Sequence, residues 1–200
     1  MTYTVLARRW RPAGCEWTGP APRGVALALL AIFTVAGALP APAAAEPTRL
    51  LLQPGSTVLG FRAYGFGLLP VDGQFGRFRG TLTLDPADPT FCRVELEAEA
   101  ASLTMPTEAM TEDALGPDLL NVGVHPRFAY AGPCRDGTVD GSLTLGGVTR
   151  PFRPKVEREP GRFVATGLMR RADWGMGARP NMAGPEVRLR ITTTLPAAFR

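Results

Sequence analysis

The sequence predicts an all-β protein whose strands close into an eight-stranded antiparallel up-and-down barrel, with a short helical excursion between the third and fourth strands. Three observations predict it. Apolar and polar residues alternate with a period of two in short runs across residues 56–195. Glycine, proline and aspartate punctuate the runs. Each run also carries one apolar and one polar face, so each strand has a side to bury and a side to solvate. Antiparallel strands of this kind remove their exposed edges by closing on themselves. A two-sheet sandwich shares the same alternation.

The first run, 56–65, sets Leu59, Phe61 and Ala63 against Arg62 and Tyr64. The second, 71–85, is long enough to bend. Its apolar parity changes from Val71, Gly73 and Phe75 to Phe78, Leu82 and Leu84, which predicts a bulge near Gly76. The third, 91–103, contains VELEAEA, in which Val94, Leu96, Ala98 and Ala100 alternate with Glu95, Glu97 and Glu99. The long connection 104–125 follows, and 109–120 within it is expected to hold a helical turn or two. The fourth strand, 127–132, places Phe128 and Tyr130 on one face. The fifth, 137–145, and the sixth, 148–158, form a hairpin over Gly146-Gly147, a turn that needs residues tolerant of positive φ. Val139, Leu143 and Leu145 share the apolar face of the fifth strand. The seventh strand is 162–170. A second long connection, 172–185, is rich in Gly, Met and Pro. The eighth, 186–195, sets Val187, Leu189 and Ile191 against Arg188 and Arg190.

Residues 1–45 read as a secretory signal. Arg8, Arg9, Arg11 and Arg23 precede an apolar run at 24–39, and Ala43-Ala44-Ala45 supplies small residues for cleavage before Glu46. The run is short for a membrane span of about 20 residues and is followed by Pro40 and Pro42, so a cleaved signal is preferred to an anchor. The residues after Arg8-Arg9 do not fit a twin-arginine signal. Ala13-Gly14-Cys15 precedes the apolar run, whereas a lipoprotein cleavage site would follow it. Two units are therefore expected: a cleaved leader, 1–45, and one domain, 46–200.

The formal net charge of +4 is concentrated in the leader, and the basic residues of the remainder are scattered. Nucleic acid is therefore not an expected partner. Cys92 and Cys134 remain after the leader, and an even pair in an exported chain reads as a disulfide. Cys92 begins its strand and Cys134 follows the end of the next, and antiparallel neighbours bring those ends together. No zinc-ligand spacing links these cysteines with His125, and no metal or cofactor is expected. A catalytic triad would have to recruit His125, beside Pro126, with Ser56, Ser102 or Ser142, and no G-x-S-x-G elbow is present. No catalytic residue is assigned.

Two segments are more specific than the alternation. Residues 140–152 read DGSLTLGGVTRPF, and residues 171–176 read RADWGM. Val71, Gly73 and Phe75, then Phe78 and Gly80, add V-x-G-x-F and F-x-G spacings. Ala101-Ser102-Leu103 ends a strand, and His125-Pro126-Arg127-Phe128 opens the next. In this order these segments resemble the YceI-like family of bacterial secreted lipid-binding proteins, over residues 56–195. Three places depart from the family pattern. Gly65, followed by Gly67, stands where the family usually has a histidine. Glu112-Asp113 replaces an Arg-Asp, and 115–122 is one residue short.

The resemblance implies a lipocalin-like barrel with an elongated apolar cavity, located in the periplasm. Its implied ligand is a polyprenol, an isoprenoid quinone or a similar long-chain amphiphile, taken up with transient contact at a membrane surface. The oligomeric state is left open between monomer and homodimer. On this reading the tail is lined by Phe61 and Ala63 of the first strand, Phe75, Phe78 and Leu82 of the second, and Val94 and Leu96 of the third. Phe128 and Tyr130 of the fourth, Leu143 of the fifth, Phe152 of the sixth, and Leu189 and Ile191 of the eighth complete the set. For each of them ordinary core packing is the competing role. Arg171, Asp173 and Trp174 either meet a headgroup or form a structural corner, with Arg171 and Asp173 paired. The competing function is an exported interaction module with a side-chain-filled barrel. Met105, Met110, Met169, Met176 and Met182 would then be adaptable contact residues, although they suit a flexible cavity mouth equally.

Overall fold

The computed structural model describes residues 46–66, 68–85, 88, 92–178 and 183–195. The leader with its expected cleavage after Ala45 lies outside the described residues, as do Gly67, Phe91 and Met182. In chain order the strands are β1 (Thr48–Leu52), β2 (Thr57–Gly65), β3 (Leu69–Phe75), β4 (Phe78–Leu84), β5 (Cys92–Glu99), β6 (Leu103–Thr104) and β7 (Arg127–Arg135). They continue with β8 (Thr138–Val139), β9 (Gly141–Leu145), β10 (Val148–Phe152), β11 (Lys155–Glu159), β12 (Arg162–Arg170) and β13 (Glu186–Thr194). The α-helix of the described residues, α1 (Glu108–Leu115), lies between β6 and β7. The Thr107 hydroxyl caps it by accepting from the Met110 N–H at 3.2 Å.

All strand pairs are antiparallel, in one 13-stranded sheet with the path β1-β4-β5-β7-β8-β11-β12-β13-β2-β3-β6. The sheet curls because its ends share chain: β3 runs into β4, and β6 continues β5 through a 3-10 turn at Ala100–Ser102. The result is a barrel of eight ribbons and not a two-sheet sandwich. The ribbons are the eight expected strands, but four of them are broken in two. The break predicted near Gly76 separates β3 from β4. Its partner ribbon breaks opposite it, at Ala100–Ser102, which the unbroken reading of 91–103 missed. The two breaks are stitched together by Gly76 N–H donating to Ser102 C=O and Glu99 N–H donating to Arg77 C=O, both at 3.0 Å. A bend in one strand of a closed sheet must be matched by its neighbour, or ladder bonds are lost.

The other two breaks fall at Asp140 and before Lys155. Pro154 has no N–H to offer a ladder, but its carbonyl accepts from Val139 N–H at 3.0 Å. β1 was not expected. Three consecutive leucines show no alternation in the sequence, yet in the fold Leu50 and Leu52 are buried and Leu51 is exposed. β1 takes the edge of β4, while β2 pairs with β3.

The inward faces form one continuous core from Leu50 to Leu195. Outward charges pair across strands: Arg62 with Asp72, and Glu97 with both Arg79 and Arg127. Cys92 and Cys134 face each other in register on β5 and β7, with Cα atoms 4.8 Å apart and sulfurs at bonding distance. This cross-link closes a loop of sequence separation 42.

The cross-link and the close approach of backbones can each be tested through stability. Replacing both Cys92 and Cys134 by Ala removes the cross-link, and urea unfolding is expected to show a loss of about 4 kcal/mol on chain-entropy grounds. No loss on reduction of the wild type would show that the sulfurs are not bonded. At the Asp140 break, a methyl group on Gly132 would overlap the backbone of Asp140 and Gly141. Gly132→Ala is therefore expected to cost about 1–3 kcal/mol by overpacking, and a variant with wild-type Tm would contradict that close approach.

Candidate ligand-binding cavity

Among the described residues, three apolar voids inside the barrel are linked in sequence by shared lining residues. The mouth chamber, of about 150 Å³, is lined by Phe61, Ala63, Phe75, Phe128, Leu143 and Leu189 of the expected set. Leu103, Met105, Leu119, Leu120, Met169, Met176 and Val187 complete most of its wall. The middle void, of about 50 Å³, shares Phe75, Phe128, Leu143 and Leu189 with it and adds Leu96, Tyr130, Phe152 and Ile191. The far void, of about 70 Å³, is bounded by Leu82, Val94, Tyr130 and Ile191, among others.

The residues shared between voids are collars. The first is built on Phe75 and Phe128, whose rings meet edge-to-face with centroids 4.7 Å apart. The second is built on Tyr130 and Ile191. Tyr130 is held there by its hydroxyl, which donates within reach of Phe152 C=O at 3.1 Å and Val139 C=O at 3.3 Å. Burial pushes that hydroxyl's pKa up, so it stays a donor. Inward glycines make room for the rings. The Phe61 ring lies over Gly73, where an added Cβ would stand 2.5 Å from it.

Twelve of the thirteen expected lining residues therefore border a void. The exception is Phe78, which is buried opposite Ala98 and borders none of the three. Sequence reasoning missed the roof of the mouth chamber. Ala114 of α1 and Leu119 and Leu120 after it close over the opening. Irregular segments have no period to betray an inward face, and the methionines were the one signal: Met105, Met169 and Met176 line the chamber, whereas Met110 is exposed.

Arg171 is the charged residue of the mouth wall. Its side chain is buried and spends its N–H groups on backbone carbonyls: Nε on Gly184 at 2.7 Å, Nη1 on Met176 at 2.5 Å and Ala178 at 3.4 Å, and Nη2 on Ala183 at 2.6 Å. It thereby anchors both ends of the connection between β12 and β13. The expected ion pair with Asp173 does not form among the described residues: Asp173 is exposed and the guanidinium is committed to carbonyls. Burial lowers the Arg171 pKa from its ordinary value, but a guanidinium keeps its proton. Trp174 fixes the same corner by donating from Nε1 to Leu143 C=O at 3.2 Å and by packing edge-on to Phe152.

The residues weighed for catalysis are not hydrogen-bonded to one another among the described residues. Ser142 faces outward on β9, Ser102 Oγ donates to Glu99 C=O at 2.6 Å, and His125 sits against Gly147 in the β9–β10 turn. Among the described residues no three His, Cys, Asp or Glu side chains converge as metal ligands. No helix among them is long and apolar enough to cross a membrane.

Comparison with known proteins agrees with this architecture. The UPF0312 protein of Shewanella oneidensis is 29% identical over 98 residues, which is 46% of this chain and 51% of that protein. The chain thus spans about half the length of the curated relatives it matches. BcnA of Burkholderia cenocepacia shares the fold with a TM-score of 0.57 at 16% identity, covering 70% of this chain and 96% of that one. A polyisoprenoid binding domain from Saccharophagus degradans, implicated in plant cell wall breakdown, does so with a TM-score of 0.53 at 14% identity, covering 74% and 99%. At such identities the likeness is one of fold. The sequence profile of the YceI-like domain matches residues 51–195, from within β1 to the residue after β13, and the chain belongs to the YceI-like family.

Proposed function

We propose that this protein is a non-catalytic carrier or store of a long-chain isoprenoid lipid, of the polyprenol or isoprenoid quinone class. On this reading it works in the periplasm after its leader is removed at Ala45. The observation that carries the reading is the mouth chamber: an apolar void at one end of the barrel, continued inward by two further voids and bordered by one cation, Arg171. The polyisoprenoid binding of the Saccharophagus degradans domain supports the same ligand class.

The energetics define what such a site has to supply. Each CH₂ moved from water into the barrel is worth about 0.8 kcal/mol. A lipid tail, however, comes from a bilayer that is just as apolar, so burial alone gives no net extraction. The surplus must come from close packing along the tube and from a polar contact at its mouth. Phe61, Ala63, Phe75, Phe128, Leu143 and Leu189 hold the first part of the tail on this proposal. Leu96, Tyr130, Phe152 and Ile191, then Leu82 and Val94, hold a tail that reaches further. The Phe75–Phe128 pair must part for that to happen, which makes the first collar a gauge of chain length. Arg171 offers positive potential to a headgroup oxygen, while Asp173 and Trp174 shape the corner.

The test is native mass spectrometry of the purified protein with and without a polyprenol and quinone panel, followed by lipid extraction. A stoichiometric long-chain adduct is expected. Ala63→Trp, which places an indole in the mouth chamber, is expected to weaken binding about tenfold or more while leaving the thermal transition in place. Ala98→Trp is not an equivalent probe, because Ala98 is packed between Phe78 and Phe128 in register and the larger ring overpacks the core. A protein that stays bare across the panel would defeat the proposal and favour a filled barrel acting through its loops.

A further inference from the structure

Among the described residues, six of the nine large apolar side chains left exposed are gathered at one end of the barrel. Tyr64, Phe66, Leu68 and Leu69 belong to the β2–β3 hairpin, and Met110 and Val124 to the excursion that roofs the mouth chamber. Leu51, Val58 and Leu168 lie on outer strand faces. The hairpin is the sharpest concentration: Phe66 is 67% exposed, Leu68 83% and Leu69 62%.

This tip is attached to the chamber. Ala63 lines the void, Gly65 bridges to Ala183, and Gly184 N–H donates to Tyr64 C=O at 2.7 Å. The same Ala183 and Gly184 carbonyls hold Arg171. The tip also satisfies part of its own backbone, since Leu68 N–H donates to Gly65 C=O at 3.1 Å. Its conformation has a local cost: Phe66 has φ of 49°, a left-handed value that a bulky residue rarely adopts. A strained, exposed phenylalanine brings nothing to the core.

Behind the tip the side chains are layered. Tyr64, amphipathic and partly exposed, stands at the base of the turn. Roughly 7 Å further back, two residues at about 3.3 Å per residue, begins a cationic belt. Arg62 is paired to Asp72 at 2.7 Å, and next to it in register stands Arg188, followed by Arg190. Neither Arg188 nor Arg190 is in an ion pair among the described residues. Apolar tip, aromatic base and arginine belt correspond in order to acyl chains, interface and lipid phosphates. The excursion side of the mouth carries Glu108, Glu112, Asp113 and Asp118, so the hairpin side is the one that suits a phosphate surface.

We propose that the β2–β3 hairpin tip, through Phe66, Leu68 and Leu69 with Arg188 and Arg190 behind it, inserts into the interface of a phospholipid bilayer and brings the chamber mouth to the membrane. This rests on the lipid-binding reading for its purpose, but not for its measurement. The probe is co-sedimentation of the protein, as recovered from exporting cells, with vesicles of phosphatidylcholine and phosphatidylglycerol. The variant is Phe66→Asn with Leu68→Ser, since Asn accepts the left-handed backbone and both changes remove apolar surface. Loading with a polyprenol delivered from detergent is read in parallel.

The double variant is expected to lose about tenfold or more in vesicle partition, with an unchanged thermal transition and unchanged loading from detergent. Phe66→Trp is expected to sediment as wild type and to shift its emission to the blue on vesicles. A double variant that sediments like wild type, or a Phe66→Trp emission that does not move, overturns the proposal. A wild type that ignores vesicles but forms a dimer which the double variant dissolves also overturns it, and makes the tip a self-association surface. Tip-dependent vesicle binding with no polyprenol loaded by either protein supports the docking surface and defeats the lipid-carrier reading instead.

Discussion

An open sheet edge in water presents a row of unpaired N–H and C=O groups, and a chain rich in strands must cover, charge or close it. Here β3 carries β2 on one side and β6 on the other, and β6 is the continuation of β5. Closure forces curvature, and curvature must be taken up where two neighbours can bend together. Gly76-Arg77 and Ala100–Ser102 are that place, and Gly132 with Gly141 provide a second where backbones come close. The interior volume follows from these bends. Inward glycines leave room for aromatic rings, Gly73 for Phe61 in the mouth wall and Gly141 for Tyr130 in the second collar.

The mouth depends on one buried cation. A guanidinium removed from water is costly unless its donors are satisfied, and Arg171 meets that requirement with main-chain carbonyls in place of a carboxylate. The irregular connection before β13 thereby acquires a defined path without regular secondary structure. The charge of Arg171 also stays uncompensated by a carboxylate at the wall of an apolar chamber. The helical side of the wall has no buried cation among the described residues: α1 buries none of its residues fully, and reaches the chamber through Ala114. The opening therefore has one fixed side and one lightly packed side.

For an apolar ligand the competing solvent is the membrane, so the path of delivery matters as much as the depth of the cavity. An apolar hairpin left exposed to water is a liability. On the docking proposal, its place beside the chamber, joined to the loop that Arg171 holds, gives that liability a use at a bilayer surface.

The alternation along β2, β4, β5, β7 and β13 is a local property, because successive side chains of a strand must point to opposite faces. Local pattern was therefore enough to specify the eight ribbons, the inward identity of residues such as Phe61, Leu96 and Tyr130, the register partner of Cys92, and the break at Gly76. The motifs at 140–152 and 171–176 pointed to the family for the same reason: turns and corners are written in contiguous residues. Features with no period, or with partners on distant backbone, took shape only in the folded chain. The leucine run of β1 became a strand by pairing with β4, and the second break, at Ala100–Ser102, answers the first across the sheet. Arg171 turned from Asp173 to four carbonyls that lie 5 to 13 residues away. Division of the interior into three voids depends on where rings from different strands meet, and alternation says which way a side chain points but not what it meets there.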